Sequence, residues 1–471
     1  MFVPSRLTSV SAIFAAAAMI PASHSTPMLE NPVTPVGEHV ELSPSHPAFG
    51  REIDAKNYIA PVEYRATVAD LRREIAELHG GSILPGKVST AGKDQYRQSR
   101  RLETSNFDIQ RLEEHFKSPM ERNFNVLPKA GAAPATPWPS SYWPTFMDGI
   151  NAQWNPGQAS PAEKYAKAFG LDVADFERTV SQANGILSQQ GRRACATEED
   201  CASLNDGSTC AKRQGEEKGF CVPKWFGICH AWAPAAMLET EPKCPVQVGD
   251  ITFQPLDIKG LLTEIYDGAH VETVFTGARF NGKDNEPDNR DQYGRYRDPT
   301  QRDLGAGFFH VALTNILGLR NQSFIVDVAP GVEVWNHPVK SYEVLEAVEL
   351  KPEDAAWDFF RTTIYPFNPV VQKIMYVKNR FKWVVESNED GSLVPTGRVE
   401  ASVKTFDHEY LLELDDMGNI LGGEWVADSM LDHPDFLWFP AQKPAPDTIS
   451  RVGLSYQKVS ELLAKSIAAE C

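Results

Sequence analysis

No segment of the 471-residue chain offers the about 18 consecutive apolar residues that crossing a bilayer requires, so no membrane partner is expected. Positive charge is also short. The 46 lysines and arginines face 63 acids, a net charge of -17, and nucleic acid is excluded because phosphate binding needs a basic surface. Cysteine is scarce: there are seven, none in the CxxC pairs of a typical zinc site. No internal repeat divides the chain. What remains is ordinary globular composition, 42% hydrophobic, and enough length for about two or three units.

What is present begins with an export signal. Arg6 precedes the apolar run "SAIFAAAAMI", and Ala22, Ser23 and Ser25 supply the small residues of a cleavage site. Residues 1–25 therefore read as a signal peptide and the protein as secreted, into a compartment where disulfides form. Residues 26–101 read as a removable propeptide. Its proline-rich start has no period, a helix is predicted around Leu71, Ile75 and Leu78, and Arg97, Arg100 and Arg101 carry processing-protease spacing. Residues 102–136 read as a linker region.

Beyond it, Ser160, Pro161 and Glu163 start a helix that Gly170 ends, and Asp172 starts a second. Four cysteines then crowd a polar insert, residues 195–221: Cys195, Cys201, Cys210 and Cys221. Two local disulfides are expected there, with connectivity open, and Cys244 and Cys471 are left to tie the tail to the core. "FFHVALTNIL", "SFIVDVAP", "VEVWNHPVKSYEV" and later runs read as antiparallel strands, and the chain closes on a helix from Tyr456. The expected fold is α+β: a core over 137–350, then a β-rich part over 351–471.

That count leaves Cys229, in "WFGICHAWAP", unpaired. A thiol at a helix N-terminus is activated by the dipole, although Pro234 breaks the ladder one turn on. Its base must be a histidine. His24, His39, His46 and His79 fall in the segments expected to be removed, and His230 points away from Cys229 in a regular helix. His270 and His408 lack a fitting orienting carboxylate. His310 is the candidate: a hairpin closing at residues 317–320 sets it opposite Asp327, about 5 Å away on one face. Asn315 is the weaker substitute orienter. Trp225 and the backbone N–H of Cys229 are candidate oxyanion donors, and Arg302 a supporting group. The order Cys229, His310, Asp327 is more compact than in papain-type proteases, where roughly 130–150 residues separate cysteine from histidine. It resembles the transglutaminase arrangement, itself built on a cysteine-protease-like core.

Longer stretches carry the resemblance further. "PWPSSYWPTFMDGINAQW", "SPAEKYAKAFGL", "WFGICHAWAPAAMLE", "RDLGAGFFHVALTNILG" and "VWNHPVKSYEVLE" are together similar to the secreted transglutaminase elicitors of oomycetes, across residues 137–438. The resemblance implies glutamine–lysine cross-linking of protein substrates through a Cys229 thioester. It also implies an elicitor peptide at residues 334–346 and a plant surface receptor as partner. From the residues alone that peptide is an exposed strand; Trp335 and Pro338 fit the family motif, while His337 stands where Gln is common and Ser341 where Gly is common. The chemistry requires no cofactor, and the resemblance implies calcium. The weak ligand candidates Asp284, Glu286 and Asp288 fail the EF-hand pattern, since Asn289 and Arg295 occupy its sixth and twelfth positions. "NQS" at Asn321 is a glycosylation acceptor. A cysteine protease and a non-catalytic display protein are the alternatives.

Overall fold

The computed structural model describes residues 40–43, 46–52, 101–282 and 289–471. The expected signal peptide, most of the propeptide, Arg97 and Arg100, and the acids Asp284, Glu286 and Asp288 lie outside these residues.

Strand β1 (Val40–Glu41) comes first, and helix α1 (Arg101–Phe116) occupies the stretch expected as linker. Strand β2 (Ala130–Ala132) leads to the helices α2 (Pro161–Phe169) and α3 (Val173–Ala183). Both begin as their sequences predict. Ser160 and Asp172 accept the N–H groups of Glu163 and Asp175, and Gly170 closes α2 in the left-handed region at φ 72°.

The cysteine-rich insert folds as a small sheet of β3 (Ala194–Cys195), β4 (Ser208–Ala211) and β5 (Gly219–Pro223). Cys195 bonds Cys210, Cys201 bonds Cys221, and Cys244 bonds Cys471, which leaves Cys229 reduced. Helix α4 (Cys229–Leu238), the hairpin β6 (Val246–Val248) and β7 (Ile251–Phe253), and helix α5 (Pro255–Asp267) follow.

The remaining elements are β8 (Glu272–Gly277), α6 (Ala306–Leu313), β9 (Ile325–Asp327), β10 (Asn336–Leu350) and α7 (Pro352–Phe360). After them come β11 (Lys373–Val384), β12 (Val403–Leu414), β13 (Ile420–Trp425), β14 (Phe436–Pro440) and α8 (Tyr456–Ala468). Among the described residues they build one nine-stranded sheet, ordered β1-β8-β14-β9-β10-β11-β12-β13 with β2 paired to β10. Every pairing is antiparallel. Because β14 inserts between β8 and β9, the sheet runs across the boundary expected at residue 350.

One predicted strand is a helix. "FFHVALTNIL" forms α6 and runs on into a π-helical turn over Thr314–Leu319. Every residue of α6 is buried, so its sequence is apolar on all sides and carries no period by which a strand and a buried helix differ.

The two faces of the sheet follow from strand alternation. Phe275, Ile325, Phe436 and Trp438 point to one face and pack with Trp225, Phe226 and Ala233, beside and within α4. Val274, Val326 and Leu437 point to the other, under Phe308, Phe309 and Val311 of α6. Cys229 and His310 thus belong to opposite sides of one sheet.

Candidate active site

Cys229 is the first residue of α4 and is fully buried. Pro234 sits inside the helix without ending it; its missing N–H deprives the His230 carbonyl of the usual donor. The thiol lies 3.6 Å from the carbonyl oxygen of Val334 and 3.3 Å from Asn336 Nδ2. Burial pushes it up to about 11, opposed by the side-chain and main-chain N–H groups of Asn336, with the carboxylates of Glu386 and Asp327 adding to the rise. In this state desolvation outweighs the help a helix N-terminus gives a thiolate.

The expected base does not reach this thiol. His310 lies on α6, where Nδ1 meets the Tyr410 hydroxyl at 2.8 Å and Phe124 stacks on the ring. Burial drives its pKa down to about 3. Asp327 lies on β9, opposite Asn336 of β10 and Phe436 of β14 rather than His310. The hairpin that would have joined them requires a strand where α6 stands. Asp327 instead accepts the Trp335 N–H at 3.0 Å on the cysteine side of the sheet, and burial raises its pKa to about 7.

The imidazole that meets the same peptide segment as the thiol is His230. Its Nε2 faces Asp267 Oδ1 at 2.8 Å, both side chains fully buried, and its Nδ1 accepts the N–H of Gly50 at 3.0 Å. A donor on Nδ1 fixes the tautomer: the proton sits on Nε2, toward the carboxylate. Arg451, His230 and Asn184 hold Asp267 below the usual carboxylate range against the effect of burial. Gly50 also borders the thiol, since a Cβ built on it would stand 3.1 Å from Sγ. Asn336 Nδ2 completes the group, donating to the Ala48 carbonyl at 2.7 Å while its Oδ1 accepts the Trp438 indole N–H at 2.8 Å. Thiol, imidazole and carboxamide therefore converge on one stretch of peptide, residues 48–50.

Tyr142 and Trp335, ring centroids 5.3 Å apart, are the half-buried aromatics nearby, and the charges of Cys229 and Glu386 both act on Tyr142. Glu386 pairs with His337 Nε2 at 3.1 Å.

The other sequence candidates play different parts. Trp225 is buried edge-on against Phe226, 4.7 Å between centroids. Arg302 donates to the carbonyls of Tyr296 and Arg297. Asn315 bonds the main chain of Glu121 in both directions. Asn321 is exposed, consistent with an acceptor site. Residues 334–346 run into β10, as a strand, but only their second half is exposed, at Glu343, Leu345 and Glu346: Val334 and Asn336–Val339 are buried, forming the wall of the thiol site, and Pro338 pairs with Ile325. Among the described residues, Cys195, Cys201 and Cys221 are the group close enough to share a metal ion, and disulfides consume their thiols.

Three site residues escaped the sequence: His230, its partner Asp267, and Asn336. His230 points away from Cys229 because neighbours on a helix diverge by about 100°, yet both can touch one peptide segment laid across the helix tip. The signal that marks it is the pair Glu264 and Asp267 in the otherwise apolar "IKGLLTEIYDG", since acids in an apolar helix need partners. Asn336 carries no charge, and its contact with Cys229 is nonlocal.

Fold and site define an antiparallel α+β protein organised around one buried, reduced thiol. The sequence matches the transglutaminase elicitor family model over residues 108–471, and the chain belongs to that family. It is similar to the GP42 transglutaminase from Phytophthora sojae, known as a crystal structure: 48% identity and a TM-score of 0.70, over 77% of this chain and 98% of that one. Among curated proteins no relative matches. The family implies protein substrates and, with the disulfides, an extracellular setting. No helix among the described residues is long and apolar enough to cross a membrane.

Proposed function

We propose that the protein is a protein-glutamine γ-glutamyltransferase in which Cys229 is the nucleophile, His230 the acid–base and Asp267 its orienter. The observation that carries this reading is the convergence of Cys229 Sγ, His230 Nδ1 and Asn336 Nδ2 on one peptide segment. The Cys229 thiol passes its proton to His230 Nδ1, and the thiolate attacks the carboxamide carbon of a protein-bound glutamine. The carbon–nitrogen bond breaks, and His230 returns the proton to the departing ammonia, leaving a thioester. A lysine ε-amine then attacks the thioester and gives a proton to His230. The carbon–sulfur bond breaks, the thiolate recovers that proton, and an isopeptide bond remains. Asn336 Nδ2 and the backbone N–H of Cys229 bind the oxyanion in both halves. Asp267 stabilises the imidazolium each time it forms.

Residues 334–346 keep the elicitor-like role implied by the family in this reading, and their first half also supplies Asn336. Incubation with a glutamine-donor protein and a fluorescent primary amine tests the proposal. Wild-type protein is expected to label the donor and Cys229→Ala to lose that labelling. Label retained by the variant refutes the assignment, whereas fragments without label identify a cysteine protease.

A further inference from the structure

Residues 46–52 lie across the thiol and are held through both main chain and side chains, the main-chain bonds falling nearest the thiol. The Gly50 carbonyl accepts the Gly227 N–H at 3.0 Å, and the Gly50 N–H donates to His230 Nδ1 at 3.0 Å. Asn336 Nδ2 holds the Ala48 carbonyl at 2.7 Å. Arg279, 1% exposed, donates from Nη1 to the carbonyls of Pro47 at 3.1 Å and Phe49 at 3.0 Å, and from Nη2 to that of Arg51 at 2.9 Å. Side chains add to this: the Phe49 and His230 ring centroids are 4.1 Å apart, His46 Nε2 meets Thr273 Oγ1 at 2.9 Å, Arg51 Nη2 donates to the Ala183 carbonyl at 3.4 Å, and Glu52 pairs with Arg192 at 3.0 Å. Upstream the segment is moored as an edge strand, with Val40 opposite Thr273 and Glu41 opposite Glu272.

We propose that residues 46–52 occupy the groove that binds the main chain of a glutamine-bearing peptide, and that they hold the thiol closed until removed. The proposal rests on the acyl-transfer reading for the ligand class; the closure rests on the contacts alone. The segment takes a turned path, with the Phe49 N–H bonded to the His46 carbonyl at 3.0 Å and the Arg51 N–H to the Phe49 carbonyl at 2.8 Å. Donors aimed at its carbonyls from Pro47 to Arg51 read main chain, not side chains, so a glutamine-bearing segment that follows the same path is the ligand they fit. The strap itself cannot be acylated onto Cys229 through Gly50, because that residue has no side chain to offer. It has no room for one either, since a Cβ there would stand 2.6 Å from the Gly227 carbonyl oxygen. The family match begins at residue 108, after the strap, and Arg97, Arg100 and Arg101 lie between the two. Cleavage after Arg101 would separate strap from core.

Iodoacetamide labelling of Cys229, the one cysteine outside a disulfide, reads closure without requiring catalysis. Native full-length protein and Gly50→Leu are compared, with thermal melting recorded for both. The bulky side chain meets Gly227, so the variant is expected to label at least about tenfold faster with the core still folded. Equal labelling of two folded proteins overturns the proposal. Should Gly50→Leu lose its cooperative melt, protein cut after Arg101 and separated from its N-terminal fragment decides. A synthetic peptide of residues 46–52 must slow its labelling, and absence of protection overturns the strap. If the peptide protects the thiol but does not compete with a glutamine donor for amine incorporation, the groove assignment falls. Faster labelling of Gly50→Leu with no amine incorporation at all instead sinks the acyl-transfer reading and leaves closure standing.

Discussion

Asn336→Asp separates the chemistry assigned to the carboxamide from its structural work. In the native site Nδ2 points at Sγ from 3.3 Å and Oδ1 accepts the Trp438 indole N–H at 2.8 Å. Aspartate keeps an acceptor for Trp438 and nearly the same volume, but replaces the donor beside the sulfur with a carboxylate. Removing one oxyanion donor costs about 10²–10³ in kcat, about 3–4 kcal/mol. The new carboxylate also raises the thiol pKa, by about 1–2 units for a like charge in contact. Two readouts are expected in protein cut after Arg101. Amine incorporation falls by at least about a hundredfold, and the pH profile of iodoacetamide labelling moves to higher pH. Asn336→Ala is the structural control: it leaves the buried Trp438 N–H unpartnered, at about 1–3 kcal/mol of stability. If Asn336→Asp folds, keeps its thiol profile and retains kcat within about threefold, the carboxamide has no part in the chemistry. The site then has to be rebuilt around other donors.

His310→Phe should show a pH-dependent stability difference, because the folded pKa of about 3 lies below an unfolded value of about 6.5. Wild type keeps the contribution of the neutral imidazole above pH ~6.5 and loses it as pH falls toward 3, so a wild-type advantage of about 1–2 kcal/mol at pH ~7.5 should vanish or reverse by pH ~5 in thermal melts; a gap that does not change with pH contradicts this. An antibody raised to residues 334–339 should bind reduced, heat-denatured protein at least about tenfold better than native protein, because Val334 and Asn336–Val339 are buried. Equal binding to both forms would show that the stretch is displayed after all.

Local signals in the sequence were sufficient where capping residues mark a helix end. Ser160, Asp172 and Gly170 set helix ends through bonds to residues within one turn, and those ends appear where the sequence puts them. Cysteine arithmetic also worked, since a disulfide leaves parity in the composition: six pair, and Cys229 remains. The base was misread at His310 because α6 is surrounded by protein on all sides. A helix with no solvent face loses the 3.6-residue period, and an apolar run next to another strand-like run then reads as a hairpin. The strap was illegible for the opposite reason. Short and aperiodic, residues 46–52 form neither helix nor strand, and their order comes from Arg279, Asn336, His230 and Gly227, all more than 170 positions away.

The buried charges behind the thiol argue that the site is built for two states. Glu264, Asp267 and His230 are all enclosed, and enclosing titratable groups is costly unless each has a partner. Asn184 Nδ2 binds both oxygens of Glu264 and Oδ2 of Asp267, while Arg451 pairs with Asp267. The two acids separate as a result. Burial and its neighbour raise Glu264 to about 8, so it holds a proton near neutrality, whereas Asp267 stays ionised. Two close acids pushed apart in pKa are what an acid–base site requires, and a purely structural core would do better with apolar side chains. Yet with the strap in place this machinery serves a thiol raised to about 11 and an imidazole already bonded to Gly50. Removing the strap changes both terms in the same direction. Water reaches Sγ, lowering the desolvation that dominates its shift, and His230 Nδ1 loses the Gly50 N–H that occupies it. The anchored Asp267 then favours the imidazolium, so one displacement both frees the base and makes thiolate formation easier.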